Sequence, residues 1–331
     1  MRAIDIKGGK GPLSALFINE NAPKPVATRN QALVRIRAFG LNRMDILQRE
    51  GRYAVPPQAP STLGVEFSGT IEAIATEQGS FNLGDEVFGL AYGGAYAEYI
   101  AVSTHTLIHK PKNLTWEEAA GIPETWFTAL QAMYFVGGYK PGQSILWHAG
   151  AGGVALAGIQ LAKADGASAI YVTTSTQEKI DFCKSAGATE GFNYKNGDWA
   201  ADLLQYTNGK GVDLIIDVVG AGYFNQNLEA VAQEGHIVSL GTLGGAVIQQ
   251  PVDISRFLKK RIRYEGSTLR SRNEQYQGKL RDRIIEIALP KFVDGSFKVY
   301  IERVFDWKDI QAAHELLAAN TTKGKIICMI S

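Results

Sequence analysis

Two cysteines in 331 residues are too few for a disulfide framework, and Cys183 and Cys328 stand too far apart for an all-cysteine metal site or a CxxC pair. They read as buried thiols of a reducing compartment. No uncharged apolar stretch reaches the ~20 residues that a membrane span needs. The opening "MRAIDIKGG" alternates like a strand and lacks the apolar core of a signal peptide. The expected location is cytoplasmic, with no membrane partner. Runs of one charge sign are also missing. Lys plus Arg (34) against Asp plus Glu (33) leaves a net charge of +1, and nothing builds the basic stripe that would make nucleic acid a main partner. Internal repeats and low-complexity segments are absent as well.

What is present divides the chain in rhythm. Single cores commonly stop growing well below this length, so two domains are expected. From Met1 to about Pro123, short β-like runs such as "ALVRIRAFGLN", "GVEFSGTIEAIA" and "GDEVFGLAYGGAYAEYIAV" are broken by glycine and proline, as in a compact, mostly β domain. The middle alternates apolar strands ("SILWHAG", "AIYVTTS", "VDLIIDVVG", "HIVSLG") with helical segments ("GVALAGIQLAKADGA", "TQEKIDFCKSAGA", "FNQNLEAVAQEG"), the pattern of a parallel sheet covered by helices on both faces. The remainder reads as a helix ended or kinked near Pro290, a second helix "DWKDIQAAHELLAAN" and a last strand "GKIICMI". Too small to bury a core alone, it is expected to pack back on the N-terminal domain. The fold class is therefore α/β, with one domain over 1–123 and 268–331 and a doubly wound parallel-sheet domain over 124–267.

The strongest local signal is "SILWHAGAGGVALAGIQLAK", in which an apolar strand runs into Gly150-Ala151-Gly152-Gly153-Val154-Ala155 and then an apolar helix. This is the G-x-G-x-x-A form of the dinucleotide fingerprint in its required context. Gly150 permits the tight turn, Gly152 lets the backbone approach a pyrophosphate, and Ala155 is small enough for close helix–strand packing. The helix N-terminus offers unpaired N–H groups and a positive dipole end. NAD enzymes place an acid ~20 residues beyond the first glycine to hold the ribose 2′-hydroxyl, but no acid occurs from Ala169 through Gln177. An acid there would oppose a 2′-phosphate by roughly 4 kcal/mol at an effective dielectric near 20. Its absence, with Ser175 and Lys179 nearby, points to NADPH. Ser175-x-x-Glu178 also fits a capping box for the next helix, and Lys179 fits a solvated lysine.

The segments "GLNRMDILQREGRY", "LGVEFSGTI", "GDEVFGL", "IPETWFTALQAM", "HAGAGGV", "GFNYKNGD", "GSTLRSR" and "GKIICMI" fall in one register over essentially the whole chain. Together the sequence resembles the zinc-independent quinone oxidoreductases of the medium-chain dehydrogenase/reductase superfamily. The resemblance implies a GroES-like catalytic domain made from both chain ends, a Rossmann domain in the middle, and NADPH in the cleft between them. It also implies a homodimer. Zinc-dependent alcohol dehydrogenases of that superfamily carry a cysteine where this chain has Asn42 and a Gly-His-Glu where it has Gly64-Val65-Glu66, so both metal ligands are missing. Glu66 alone cannot complete a zinc shell, and the five histidines show no metal-ligand spacing.

Residue by residue, the resemblance implies that Asn42, Asp45 and Tyr53 line the nicotinamide and substrate end as the candidate catalytic group, with Asn42 and Tyr53 also touching the cofactor. Asp45 equally suits a cap of the helix "RMDILQRE". Thr128 matches a threonine near the nicotinamide, and Tyr194 a position by the adenine or 2′-phosphate. Gly241, Thr242 and Leu243 match the carboxyl-edge crevice. Ser267, Thr268, Leu269, Arg270 and Lys323 complete the cofactor contacts. The implied reaction is NADPH-dependent reduction of a quinone or another conjugated carbonyl. A reductase of enones or enoyl thioesters, and a cofactor-binding protein without turnover, remain open alternatives.

Overall fold

A computed structural model of the chain describes residues 1–75 and 79–331. It divides into two compact units, Met1–Phe127 with Leu269–Ser331, and Thr128–Thr268. In chain order the strands are β1 (Ala3–Ile6), β2 (Leu16–Asn19), β3 (Gln31–Gly40), β4 (Glu66–Ile74), β5 (Glu86–Leu90), β6 (Tyr99–Ser103) and β7 (Leu107–His109). Then come β8 (Ser144–Trp147), β9 (Ala169–Thr174), β10 (Glu190–Asn193), β11 (Val212–Asp217), β12 (Val231–Ser239), β13 (Arg263–Gly266), β14 (Ile301–Asp306) and β15 (Lys325–Met329).

The first unit is built on a sheet of order β14-β15-β3-β4-β5-β7, with β6 also paired to β3. All of these pairs are antiparallel except β14 with β15. β3 shows why: Val34, Ile36 and Ala38 turn inward while Arg35 and Arg37 are exposed, the two-residue period of a half-buried strand. β15 pairs with β3 through Ile327, Cys328 and Met329, so the tail that follows the second unit enters the same core as Ile4, Phe39, Phe67 and Trp307.

The second unit is a six-stranded sheet of order β10-β9-β8-β11-β12-β13, and every pair in it is parallel. Numbered within the unit this is 3-2-1-4-5-6, the doubly wound Rossmann order, whose switch point lies where β8 meets β11. β11, "VDLIID", carries the continuous apolar run Leu214–Ile216, buried because both faces of the sheet are covered. The helix Gly153–Ala164 is buried at every position from Ala155 to Ala162. A β-carbon on Gly158 would lie 2.0 Å from the Trp147 ring, so it is Gly158, one turn beyond Ala155, that allows the tightest helix–strand approach.

One element expectation is corrected, and one, the helix ended near Pro290, is met. "FNQNLEAVAQEG" is helical only over Phe224–Ala230, and Val231 opens β12 opposite Val212. The β-branched valine is more stable in the sheet core than in another helical turn, and Glu234 then adopts a left-handed φ of 63° at an irregularity in register. Near Pro290 the chain forms two helices, Glu274–Ile287 and Leu289–Val293, with the proline in the first turn of the second, where its missing N–H costs nothing.

Candidate functional site

In the second unit, the residues expected to hold a dinucleotide follow the carboxyl ends of successive strands. Gly150–Val154 follow β8, Ser175 follows β9, Tyr194 follows β10, Gly241–Leu243 follow β12, and Ser267 and Thr268 follow β13. Backbone bonds hold these ends in place: Gly150 N–H to Thr173 O (2.9 Å), Tyr194 N–H to Thr174 O (3.0 Å), Leu243 N–H to Val218 O (3.1 Å) and Ser267 N–H to Ser239 O (2.9 Å). A β-carbon on Gly150 would come within 2.5 Å of Val172, whereas one on Gly152 would meet only Ala149 O at 3.1 Å. Gly150 is thus needed for packing and Gly152 keeps the cradle open. The helix that starts at Gly153 has Gly152 as N-cap and no side chain bonded to its first N–H groups, which suits them to a phosphate. Thr128 Oγ1 is buried without a hydrogen-bond partner among the described residues, as a hydroxyl awaiting a ligand would be.

A hydrogen-bonded network lies beneath this loop. His148 bonds Thr173 Oγ1 through Nδ1 (2.8 Å) and Asn227 Oδ1 through Nε2 (2.7 Å), and Asn227 Nδ2 donates to Asp217 Oδ2 (3.1 Å). Since Asn227 offers an acceptor, His148 donates from Nε2 and accepts at Nδ1. Burial lowers its pKa and keeps it uncharged. Asp217 Oδ1 receives the N–H groups of Val219 and Gly220, so one chain of bonds joins the ends of β8, β9 and β11.

Ser175 does not cap the next helix. That helix spans Gln177–Ala186 and its N-cap is Thr176, whose hydroxyl accepts from Lys179 N–H. Threonine wins because the extended φ of −150° that a cap needs falls one residue later. Ser175 is thereby relieved of the capping role, and Lys179 sits in the first helical turn.

The first unit holds a buried charged cluster around the expected catalytic residues. Asn42 is the N-cap of the helix Arg43–Arg49, and Asp45 accepts the Asn42 N–H at 2.8 Å. Asp45 does cap this helix, but that is only part of its bonding. Its Oδ2 also accepts from Tyr96 Oη (3.1 Å), Tyr96 Oη meets His314 Nε2 (3.1 Å), and His314 Nδ1 meets Arg49 Nη1 (3.3 Å). A guanidinium can only donate, so His314 accepts at Nδ1, donates from Nε2 to Tyr96, and Tyr96 donates to Asp45. Burial and the neighbouring Arg49 push the His314 pKa down to about 3, and burial raises Asp45 to about 6.

Beside it, Glu66 Oε1 accepts from Lys325 Nζ (2.6 Å) and Asn42 Nδ2 (2.8 Å), while Oε2 accepts the Glu124 N–H (2.9 Å). Lys325 spends its other two donors on Leu41 O (2.6 Å) and Asn42 Oδ1 (2.8 Å). Gly40 makes room for this: a β-carbon there would lie 2.3 Å from Glu66 Oε1. Burial, then repulsion from Glu66, raises Glu124 to about 8. Arg270 donates to Tyr92 O (2.6 Å) and Gln48 Oε1 (2.7 Å), its guanidinium carbon stands 5.4 Å from the Tyr53 ring centre, and its Nη2 is buried without a hydrogen-bond partner among the described residues. Burial and Glu124 raise the Tyr53 pKa further above its ordinary value.

Of the residues expected to touch the cofactor, Leu269, Arg270 and Lys323 belong to the first unit, as do Asn42 and Tyr53. Lys323 is held by its backbone N–H on Glu302 (2.9 Å), and the buried lysine is its neighbour Lys325. Sequence reasoning missed Lys325, Glu124 and the Arg49–His314–Tyr96 chain. Charged residues inside the apolar contexts "GKIICMI" and "GIPETWF" were the available signal.

The donor set does not fit zinc. Among the described residues, no three His, Cys, Asp or Glu side chains gather to hold a metal ion. Glu66 is engaged by an ammonium, an amide and a backbone N–H, and the two thiols lie buried in different units.

Two family models match, "Alcohol dehydrogenase GroES-like domain" over residues 28–112 and "Zinc-binding dehydrogenase" over 153–286. A quinone oxidoreductase of Lama guanicoe is 30% identical over 337 residues, covering 100% of this chain and 98% of that one. The structure of an Escherichia coli quinone oxidoreductase complexed with NADPH aligns with a TM-score of 0.86 at 26% identity, over 99% of this chain and 100% of that one. That of an NAD-dependent alcohol dehydrogenase aligns at 0.87 and 28%, over 100% of both.

Proposed function

The chain belongs to the quinone oxidoreductases of the medium-chain dehydrogenase/reductase superfamily, and from that premise we propose that it reduces quinones with NADPH and without zinc. The observation that carries the cofactor choice is the end of β9, where Thr174, Ser175 and Thr176 stand in place of an acid. The Gly150–Val154 loop would hold the pyrophosphate, Ser175, Lys179 and Tyr194 the 2′-phosphate end, and Thr128, Gly241–Leu243, Ser267 and Thr268 the remainder. When bound, the reduced nicotinamide supplies a hydride. The first unit provides the acceptor's surroundings through Tyr53, Asn42, Asp45 and Arg270. A quinone is reactive enough to need positioning more than Lewis-acid activation, which agrees with an ammonium, Lys325, on the carboxylate of Glu66.

Steady-state rates with NADPH and NADH on 1,2-naphthoquinone, 1,4-benzoquinone and a crotonyl thioester test this reading. Turnover of the quinones with NADPH at least ~10-fold above NADH is expected. Faster reduction of the thioester would move the protein to the enoyl reductases, and tight NADPH binding without turnover would make it a binder. Tyr53→Phe is expected to lower kcat by about 10-fold or less, since a phenol whose pKa is raised above its usual ~10 is a weak acid at neutral pH. Abolished turnover with NADPH affinity intact would assign Tyr53 an essential role.

Homodimerisation belongs to the same proposal. The edge strand β13 pairs only with β12 among the described residues and is exposed along its length, the open edge through which sheets associate. Light scattering at twice the 35.9 kDa of one chain is the expected result. No helix among the described residues is long and apolar enough to cross a membrane, and two buried free thiols suit a cytoplasmic location.

A further inference from the structure

Glu124 opens the helix Pro123–Leu130 and is 7% exposed, yet its carboxyl makes no hydrogen bond or ion pair among the described residues. A buried carboxyl without a partner is costly unless it is neutral or waits for a ligand. Its own N–H is spent on Glu66. The charged groups acting on it are Glu66 and Lys325 from β4 and β15, Arg270, and Asp45 from the helix Arg43–Arg49. The Arg270 guanidinium carbon stands 5.4 Å from the Tyr53 ring centre, and the charge of Glu124 acts on Tyr53 and, within the same cluster, is itself acted on by Arg270. Arg270, which also acts on the Tyr53 hydroxyl, brings to this cluster a buried Nη2 that has no geometric hydrogen-bond partner among the described residues. An unpaired acid and an unpaired N–H donor near one phenol match the needs of a single oxygen that gains negative charge during reduction.

We propose that Glu124 is the acid that protonates the reduced acceptor, while Arg270 Nη2 donates a hydrogen bond to the same oxygen. The inference rests on the quinone-reductase reading. The acceptor gains a hydride from the reduced nicotinamide and a proton from Glu124. The Glu124 O–H bond breaks as the new O–H bond of the hydroquinone forms, and the carboxylate left behind recovers its proton from water. Tyr53 then positions the acceptor as a protonated hydrogen-bond donor and is not the source of the transferred proton. The burial that holds Glu124 protonated up to a pH of about 8 keeps the acid loaded under neutral conditions.

The test is Glu124→Gln, which keeps shape and burial but has no acidic proton. With NADPH and 1,2-naphthoquinone, wild-type kcat is expected to fall as pH rises through about 8. The variant should lose about 10²-fold at pH 7, within the usual range for general acids, and show no such limb. In parallel, carbon-13 spectra of protein labelled at glutamate carboxyls, recorded without cofactor or acceptor, should contain one resonance that titrates near pH 8 and is absent from the variant. Should Glu124→Gln fail to fold, Glu124→Asp supplies the assignment and the rate comparison. A Glu124 resonance in the usual carboxylate range, or a folded variant with the wild-type rate and limb, overturns the proposal. Absence of quinone turnover in the wild type itself would instead overturn the functional reading, leaving the titration to judge Glu124 alone.

Discussion

Lys325→Met is expected to destabilise the protein by about 3–5 kcal/mol, because it leaves the Glu66 carboxylate in the core without its counter-charge. Glu66 is fully buried and Lys325 is 5% exposed, so water cannot replace the lost ammonium. Leu41 O and Asn42 Oδ1 lose a donor at the same time. At roughly 2–4 °C per kcal/mol for a unit of this size, the thermal midpoint should fall by about 6–20 °C in calorimetry. The double variant Lys325→Met with Glu66→Leu should recover much of that, since removing both members of a buried pair is often neutral. A single variant that melts within ~2 °C of the wild type would show that the pair does not hold the unit together.

Ser175→Asp has the largest expected effect on binding. A carboxylate at the end of β9, if it stands ~4 Å from a 2′-phosphate, opposes it by roughly 4 kcal/mol at an effective dielectric of 20. After partial screening by solvent and salt, NADPH affinity should fall about 10²-fold by calorimetric titration. NADH affinity should stay within a few-fold, because a ribose 2′-hydroxyl can donate to the new acid. Helix capping is not disturbed by the change, as Thr176 and not Ser175 performs it. Equal losses for both cofactors would remove Ser175 from the phosphate site.

The features that could be read from sequence were those whose parts are neighbours in the chain. Strand, turn and helix around Gly150 to Ala155 are contiguous, and the apolar runs of β8, β9 and β11 announce a parallel sheet by themselves. The charged cluster was illegible for the opposite reason. Lys325 and Asn42 are 283 residues apart, and Arg49 and His314 are 265 apart. Periodicity marks Lys325 only as a lysine on an apolar strand, and nothing local names its partner. His314 reads as one more histidine until the fold sets it between a cation and a phenol. The competing cap at Ser175, which falls to Thr176, and the overlong helix before β12 are both matters of boundaries, where one residue of extended backbone or one valine in a sheet core decides the outcome.

A ribosome reads the chain in an order that the first unit does not share. β3 is made early, but its neighbour β15 and the ammonium that neutralises Glu66 come after the whole of Thr128–Thr268. During synthesis the parallel-sheet unit can close as soon as β13 has emerged, while the N-terminal segment waits with an unneutralised acid and an open sheet edge. Cotranslational protection should therefore appear first in the middle of the chain, leaving the earliest-made segment as the natural client of a chaperone.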